Sequence, residues 1–256
     1  MRTVYVIGIG AGDPEHLTLQ AVRAMGAVDV FFTIDKGPAK DDLAALRAEL
    51  LRRHAIRPHR VVEVPDPERD RTADGARYAA AVADWQDRRE ALDERLIADE
   101  LPGDGAGGFL VWGDPALYDG TLRILDRIRA RGAVAFDVVS VPGISSVQAL
   151  AAAHRLVLNR TGRPVVLTTG RRLADEGVPA GADDVVVLLD ARTAFADLPD
   201  TDLDIYWGAY LGTPDEVLVH GDLHRVAGEI RRVRAEHRAR KGWIMDTYLL
   251  RRRLPE

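Results

Sequence analysis

Residues 3–14, with the sequence TVYVIGIGAGDP, decide the fold of this chain. The stretch begins with β-branched and aromatic residues and ends abruptly in glycines, which predicts a buried strand that runs into a tight turn. Gly8, Gly10 and Gly12 allow the turn to adopt positive φ and allow a ligand to approach the main chain closely. Thr18 follows as a suitable N-cap, so a helix is predicted directly after the turn.

A strand, a glycine-rich turn and a helix at the start of a chain are typical of a nucleotide-type ligand site at the carboxyl end of a parallel sheet. The alternative is a tight strand-to-helix turn that binds no ligand. The dinucleotide-binding pattern requires glycine at its sixth position, where this chain has Asp13. This difference argues against a nicotinamide or flavin cofactor.

The composition limits the class of protein. The 256 residues are enough for one large or two small domains, and the 46% that are hydrophobic support a buried core. A net charge of -5 gives no general attraction to nucleic acid. The absence of cysteine excludes disulfides, iron–sulfur clusters and thiolate metal sites, and we expect no metal. Because no apolar run approaches the ~20 residues of a membrane span and no signal-peptide pattern is present, we expect a cytoplasmic protein without a membrane partner.

A second glycine turn follows the buried strand that is predicted at residues 109–112. Gly113 and Asp114 come directly after this strand. The Asp114 carboxylate can accept hydrogen bonds from ribose hydroxyls or from an ammonium group. Alternatively, Asp114 caps the helix that is predicted to begin near Asp119.

A third turn follows the strand that is predicted at residues 137–141 and contains Gly143. Ser145 and Ser146 come next, at the start of an alanine-rich helix. The exposed N–H groups of a helix N-terminus suit a carboxylate group. Capping of the helix alone would also explain both serines.

Charged residues follow the second predicted strand, at residues 28–33. Asp35 and Lys36 lie just beyond it, where the carboxyl end of a parallel strand faces the ligand crevice. This position suits catalytic groups. The alternative is an exposed ion pair on a solvated turn.

Hydrophobic periodicity predicts the remaining elements. Helices are expected at residues 41–54, 74–96, 119–131, 147–154 and 225–241, the last of them basic and mostly solvated. A further strand of the first half is expected at residues 61–64. Strands of the second half are expected at residues 164–169, 184–189, 202–207, 217–220 and 243–248.

Three motifs now stand in order along the chain: GIGAGD at residues 8–13, WGDPALY at 112–118 and VPGISS at 141–146. Together they resemble the tetrapyrrole methylases, which use S-adenosylmethionine (SAM). The resemblance implies two α/β domains, at residues 1–143 and 144–256, with a ligand cleft between them. It further implies a parallel N-terminal sheet flanked by helices, a mixed C-terminal sheet, and a homodimer.

The resemblance also implies roles for individual residues. It places SAM against Ala11, Trp112, Gly113, Asp114, Leu117, Ser145, Ser146, Thr169 and Leu211. Ala11 stands where the family usually has proline, and Trp112 stands where it often has glycine, so main-chain contacts are implied there. Asp35 is implied as a base and Lys36 as an oxyanion donor. Arg171 and Arg172, with Lys36, are expected to bind the carboxylates of an anionic tetrapyrrole.

Within the family, residues 30–37, 169–173 and 242–250 resemble members of the cobalamin pathway that methylate precorrin-5 at C-1 and release acetate. The resemblance therefore implies a SAM-dependent C-methyltransferase with S-adenosylhomocysteine as a product. One alternative is an enzyme of the same fold that acts on another precorrin, on ribosomal RNA or on a protein. Another alternative is a SAM-binding regulator without catalytic activity.

Overall fold

The computed structural model describes residues 1–35, 41–68 and 75–253. The predicted catalytic residue Lys36 lies outside the described residues. None of the helices in the described part of the chain is long and apolar enough to cross a membrane.

The first half alternates strands with helices, as its sequence predicts. The strands are β1 (Arg2–Gly8), β2 (Val30–Asp35), β3 (Arg60–Pro65), β4 (Ala106–Val111) and β5 (Phe136–Val141). The helices are α1 (Leu19–Met25), α2 (Asp41–His54), α3 (Gly75–Glu100) and α4 (Thr121–Arg131), and a 3-10 turn (Pro14–His16) precedes α1. Thr18 caps α1 through a hydrogen bond from the Ala21 N–H to its hydroxyl, so the predicted N-cap is confirmed.

The five strands form a parallel sheet in the order β3-β2-β4-β1-β5. The connections that leave β1 and β4 run in opposite directions, because β1 leads across β4 to β2 and β4 leads across β1 to β5. The carboxyl ends of these two neighbouring strands therefore form a topological switch point, the position at which open α/β sheets bind ligands.

Alternating side chains of the sheet fill two cores, one on each face. On one face Val6 and Phe109 pack with α3 and α4, and on the other face Ile7, Phe31 and Leu110 pack with α1 and α2. Both faces are covered, so the strands are apolar along most of their length, as is expected for a parallel sheet.

The second half contains a mixed sheet in the order β6-β7-β10-β8-β9. Its strands are β6 (Val165–Thr169), β7 (Asp184–Leu188), β8 (Leu203–Ala209), β9 (Val217–Asp222) and β10 (Asp246–Arg252). Its helices are α5 (Ser146–Ala153), α6 (Gly170–Glu176) and α7 (Leu223–Lys241), and Ala194–Asp197 form a 3-10 turn. Only β6 and β7 pair in parallel, and the other neighbours pair antiparallel. The predicted fold class, with a parallel first sheet and a mixed second sheet, is confirmed.

Several element boundaries differ from those predicted, and two of them have a clear physical cause. The last strand starts at Asp246, because Asp246 pairs with Ala209 and sets the register, while Trp243 packs against the core before the strand begins. Helix α3 continues to Glu100 rather than ending at residue 96, because no helix-breaking residue occurs before Pro102.

The contacts divide the chain into two compact units. The first contains residues 1–10 and 14–144, and the second contains residues 11–13 and 145–256. The domain boundary predicted after residue 143 stays a prediction. A single boundary does not describe the division completely, because the short turn at residues 11–13 belongs to the second unit.

Helix α3 carries a buried acidic group that is not fully neutralised. Asp93 is completely buried and accepts hydrogen bonds from Arg89, which also pairs with Asp66. Burial raises the pKa of Asp93 to about 6, although the charge of Arg89 opposes the shift. In the unfolded chain this carboxyl ionises near its ordinary value of about 4.

We expect Asp93 to make the protein less stable as the pH rises from about 4 through 6, because the folded state then holds a proton that the unfolded state releases. Asp93→Asn cannot ionise at this position, so this decrease in stability with rising pH is absent in the variant. The stability of the variant relative to the wild type should therefore increase by about 2–3 kcal/mol between pH 4 and pH 7. Urea unfolding across this range measures the difference. Asp87→Asn, at an exposed position of the same helix, is the control and should show a flat difference.

Candidate functional site

The three glycine turns of the first unit meet through main-chain contacts. A Cβ atom on Gly143 would clash with the Gly113 carbonyl oxygen, and one on Gly8 would lie 2.7 Å from the same oxygen. Gly113 has a φ of 64°, a left-handed conformation that favours glycine. The ends of β1 and β4 and the turn after β5 can approach this closely only because all three positions lack a side chain.

A short antiparallel bridge continues the contact beyond the strands. The Gly113 N–H donates to the Gly10 carbonyl oxygen at 2.8 Å, and the two residues form an isolated β-bridge. Gly10 has a φ of 83° and packs against His16, whose Cβ lies where a side chain on Gly10 would be. The first and second motifs are therefore joined directly at the switch point of the sheet.

Asp114 joins the second motif to the third. One carboxylate oxygen accepts a hydrogen bond from the Ala116 N–H at 2.8 Å, and the other accepts one from the Gly143 N–H at 2.9 Å. Asp114 does not cap α4, because Gly120 is the N-cap residue there. A carboxylate has about four acceptor positions, so Asp114 retains capacity to bind a ligand donor. Trp112 and Leu117, on either side of it, are half-buried.

In the second unit, the turn at residues 11–13 packs against the loop after β8. A Cβ atom on Gly12 would lie 2.6 Å from the Leu211 carbonyl oxygen and 2.6 Å from the Thr213 methyl group. Ala11 and Leu211 are both buried. The structure thus places two predicted SAM-contacting residues, Ala11 and Leu211, in segments that touch each other.

Ser145 is the N-cap of α5. Its hydroxyl accepts a hydrogen bond from the Val147 N–H, and its own N–H donates to the Gln148 side chain. Ser145 and Gln148 form a capping box, a pattern that the sequence analysis did not use. Ser146 takes a different role, because its hydroxyl accepts a hydrogen bond from the Thr247 hydroxyl at 3.0 Å. Helix capping, the alternative for both serines, applies to Ser145.

Thr169 is the N-cap of α6 and accepts a hydrogen bond from the Arg172 N–H. The Arg172 guanidinium pairs with Glu176 on the exposed surface of the helix at 3.0 Å. Arg171 is also exposed. Gly170 follows Thr169 and packs directly against Asp190, so no side chain fits there.

A buried polar network lies in the second unit beside these positions. Asp246 accepts hydrogen bonds from Trp207 Nε1 and Arg234 Nε, and Asp190 accepts one from the Tyr248 hydroxyl at 2.7 Å. Burial raises the pKa of Asp246, and burial together with Asp190 raises the pKa of Tyr248. This network was not predicted from the sequence, because most charges of the helix that carries Arg234 were expected to be solvated.

Asp35 is the last residue of β2 and is exposed. It pairs with Pro65 of β3, and its carbonyl oxygen accepts a hydrogen bond from the Asp66 N–H at 2.9 Å. The pairing of β2 with β4 spans only Val30–Phe32, three residues before the strand end. Asp35 therefore lies at the carboxyl end of the parallel sheet, where a catalytic group is expected.

The parallel sheet with joined glycine turns and the mixed second sheet define an α/β protein with a candidate ligand site at its strand ends. The sequence matches the family model of the Tetrapyrrole (Corrin/Porphyrin) Methylases over residues 3–227. The chain therefore belongs to the tetrapyrrole methylase family, and the resemblance carried by its three motifs is confirmed. Members of this family are SAM-dependent methyltransferases, and the protein belongs to that enzyme class.

Individual relatives match nearly the whole chain. A precorrin-6A synthase (deacetylating) from Sinorhizobium sp is 47% identical over 253 residues, which cover 98% of this chain and 96% of that protein. The crystal structure of a cobalamin synthesis related protein (CobF) from Corynebacterium diphtheriae has a TM-score of 0.84 and 39% identity, covering 98% of this chain and 99% of that chain. Uroporphyrin-III C-methyl transferase from Thermus thermophilus, complexed with S-adenosylhomocysteine, shares the fold, with a TM-score of 0.57, 21% identity, and 97% and 96% coverage.

We expect Gly143→Ala to destabilise the protein by about 1–3 kcal/mol, because the added methyl group overlaps the Gly113 carbonyl oxygen and the main chain must move. The matched control is Gly228→Ala on the exposed face of α7, where a Cβ atom meets no neighbour. That substitution should stabilise the protein by about 0.5–1 kcal/mol, since alanine is the better helix former. Urea unfolding of both variants measures the two effects, and equal changes would contradict the close contact of the three glycines.

Proposed function

We propose that this protein is a SAM-dependent C-methyltransferase of cobalamin biosynthesis that converts precorrin-5 to precorrin-6A, with methylation at C-1 and release of acetate. The observation that carries the proposal is 47% identity with the precorrin-6A synthase of Sinorhizobium sp over 98% of this chain. The 39% identity and TM-score of 0.84 with the cobalamin synthesis related protein of Corynebacterium diphtheriae support it.

The residues proposed to bind SAM have the chemistry that such a ligand requires. In the first unit, Asp114 follows the turn at Gly113 and has acceptor capacity for ribose hydroxyls or for the ammonium group. In the second unit, the N-terminus of α5 offers N–H groups to a carboxylate. The complete proposed set is Ala11, Trp112, Gly113, Asp114, Leu117, Ser145, Ser146, Thr169 and Leu211. When bound, SAM supplies an electrophilic methyl group on a positively charged sulfur.

The first task of the protein is to position the substrate. A methyl transfer of this kind is an in-line displacement, so the ring carbon must be held close to the methyl group and opposite the sulfur. Orientation of this kind can supply up to ~7–11 kcal/mol of the barrier in favourable cases. Arg171 and Arg172 are proposed to bind carboxylates of the macrocycle, and Arg172 would exchange its exposed contact with Glu176 for one with the substrate.

The second task is the removal of the acetyl group. Water attacks the acetyl carbonyl carbon, the bond between that carbon and the ring breaks, and its electron pair returns to the macrocycle as acetate leaves. We propose that Asp35 accepts the proton from water and that Lys36 stabilises the oxyanion. The exposed position of Asp35 at the end of β2 is compatible with contact to a large substrate.

The proposal is tested by incubation of the protein with precorrin-5 and SAM under aerobic conditions, followed by mass spectrometry. Gain of one methyl group and loss of the acetyl group are expected in the same product. Methylation of a different precorrin or of a macromolecule would overturn the proposal and show that the protein is another enzyme of the same fold. SAM binding without any transfer would indicate a regulator. The homodimer and the cytoplasmic location stay predictions of the sequence.

Asp114→Asn should weaken SAM binding by about 1–3 kcal/mol, because the amide replaces a charged acceptor that faces both the turn and the ligand. Calorimetric titration with SAM measures the change. Asp126→Asn, at an exposed position of α4, serves as the control and should bind SAM like the wild type. An unchanged affinity in Asp114→Asn would remove Asp114 from the proposed site.

Asp35→Asn should leave SAM affinity nearly unchanged and reduce turnover by 10²–10⁴-fold, the usual contribution of a general base. The ring carbon cannot accept the methyl group while it still carries the acetyl group, so methyl gain and acetate release should fall together. If Asp35 serves the deacetylation, the KM for precorrin-5 should stay near the wild-type value, whereas the KM should rise if Asp35 orients the macrocycle. Asp137→Asn, at an exposed position near the start of β5, provides the control. Wild-type rates for both steps in Asp35→Asn would show that residue 35 belongs to a solvated turn.

A further inference from the structure

Helix α2 brings an arginine to the carboxyl end of the parallel sheet. The helix begins at Asp41, a few residues after the end of β2, and a helix that connects parallel strands runs back along the sheet. Its first turns therefore lie near the carboxyl ends of the strands. Arg47 is on the second of these turns, and the neighbouring residues Leu46 and Leu50 pack into the core.

The guanidinium of Arg47 stacks on the ring of Trp112, with 5.4 Å between the guanidinium carbon and the ring centroid. Trp112 directly follows β4, next to the joined glycine turns. The arrangement is a cation–π contact, which attracts the guanidinium to the face of the ring. The proposed contact of residue 112 with SAM is through its main chain, so the indole ring is available for this second role.

Both side chains contain buried donors without an acceptor. Arg47 Nε and Trp112 Nε1 are inaccessible to solvent and have no hydrogen-bond partner within the described residues. Buried polar groups in folded proteins are almost always hydrogen-bonded, so an exception at the ligand edge of a sheet indicates a missing acceptor. The two donors belong to the two side chains of one cation–π pair, so we consider a single acceptor group for both.

The charge of Arg47 is also incompletely balanced. Burial lowers the pKa of Arg47, and the negative charge of Asp119 opposes this shift. Among the side chains that the structure describes, no carboxylate forms an ion pair with Arg47. On the same helix, Arg52 and Arg53 both pair with Glu49. Arg47 is half-buried and has no carboxylate partner among the described side chains, whereas Arg52 and Arg53 are exposed and paired.

We propose that Arg47 and Trp112 form a binding site for one carboxylate of the tetrapyrrole substrate. The guanidinium of Arg47 pairs with the carboxylate and supplies the compensating charge. The Arg47 Nε–H and the Trp112 Nε1–H are closed to solvent in this structure, so the two side chains must move apart on binding to donate to the carboxylate oxygens. The inference rests on the proposed function for the identity of the substrate. It makes Arg47 a specificity-determining residue, distinct from Arg171 and Arg172 on the exposed helix α6.

The first test is Arg47→Met, which keeps the aliphatic stem and removes the donors and the charge. The KM for precorrin-5 should rise about 10- to 100-fold, which corresponds to the loss of a charge-assisted hydrogen bond. Turnover at saturation and SAM affinity should stay close to those of the wild type. Arg47→Lys retains the charge but not the planar group, so its KM for precorrin-5 should lie between those of the wild type and Arg47→Met. Arg52→Met on the same helix is the matched control and should leave the KM unchanged.

The second test does not depend on turnover. Uroporphyrin III, a stable tetrapyrrole octacarboxylate, is titrated into the protein without SAM, and binding is followed by tryptophan fluorescence. Arg47→Met should bind this probe at least about 10-fold more weakly than the wild type and Arg52→Met. A weaker probe affinity in a protein that does not convert precorrin-5 would support the carboxylate site and contradict the proposed function.

Thermal unfolding distinguishes binding from packing. If Arg47→Met unfolds at a lower temperature but has the wild-type KM and the wild-type probe affinity, Arg47 only packs α2 on Trp112 and the proposal is overturned. If the wild type is active, its KM compared with that of Arg47→Met tests the carboxylate site. If the wild type is inactive, the probe affinity tests it instead. A wild-type protein that neither converts precorrin-5 nor binds the probe overturns both proposals.

Discussion

The main-chain contact of Gly8, Gly113 and Gly143 is the constraint on which the first unit depends. It lets the ends of β1 and β4 and the turn after β5 meet with no side chain between them. The carboxyl edge of the sheet is consequently lined by main-chain groups at its centre, and the residues beside each glycine supply its chemistry. Asp114 has two roles in this arrangement. Its carboxylate fixes the turn to Gly143, and it is also the acceptor proposed for the ligand.

Two buried polar clusters, one in each unit, differ in how completely their groups are paired. In the second unit, Arg234 and Asp246 neutralise each other, and Asp190 is satisfied by Tyr248 and by main-chain donors. Such a network fixes the positions of β8, β10 and the loop beside α6. In the first unit, the described surroundings of Arg47 leave a donor unused. A buried network whose groups are hydrogen-bonded to one another indicates a structural role, whereas a buried donor that lacks an acceptor indicates ligand binding.

Local signals in the sequence predicted most of the fold. The glycine turns and the Thr18 cap are readable because their geometry depends on adjacent residues. The first residue of β10 is not, because its register is set by pairing with β8 across the sheet. Arg47 could not be distinguished from other arginines of a charged helix, since its burial depends on Trp112, which is distant in sequence. Asp35 was recognisable only as a residue at the end of a strand, and its role depends on a substrate that the sequence does not contain.

The turn at residues 11–13 has a consequence for the order in which the molecule is completed. It is synthesised well before Leu211 and Thr213, against which it packs. Domains generally fold as units during synthesis, with the N-terminal one first. Here the turn at residues 11–13 must wait for the segment at residues 211–213. A nascent chain that stops at residue 144 would therefore hold a complete parallel sheet whose first loop has no packing partner.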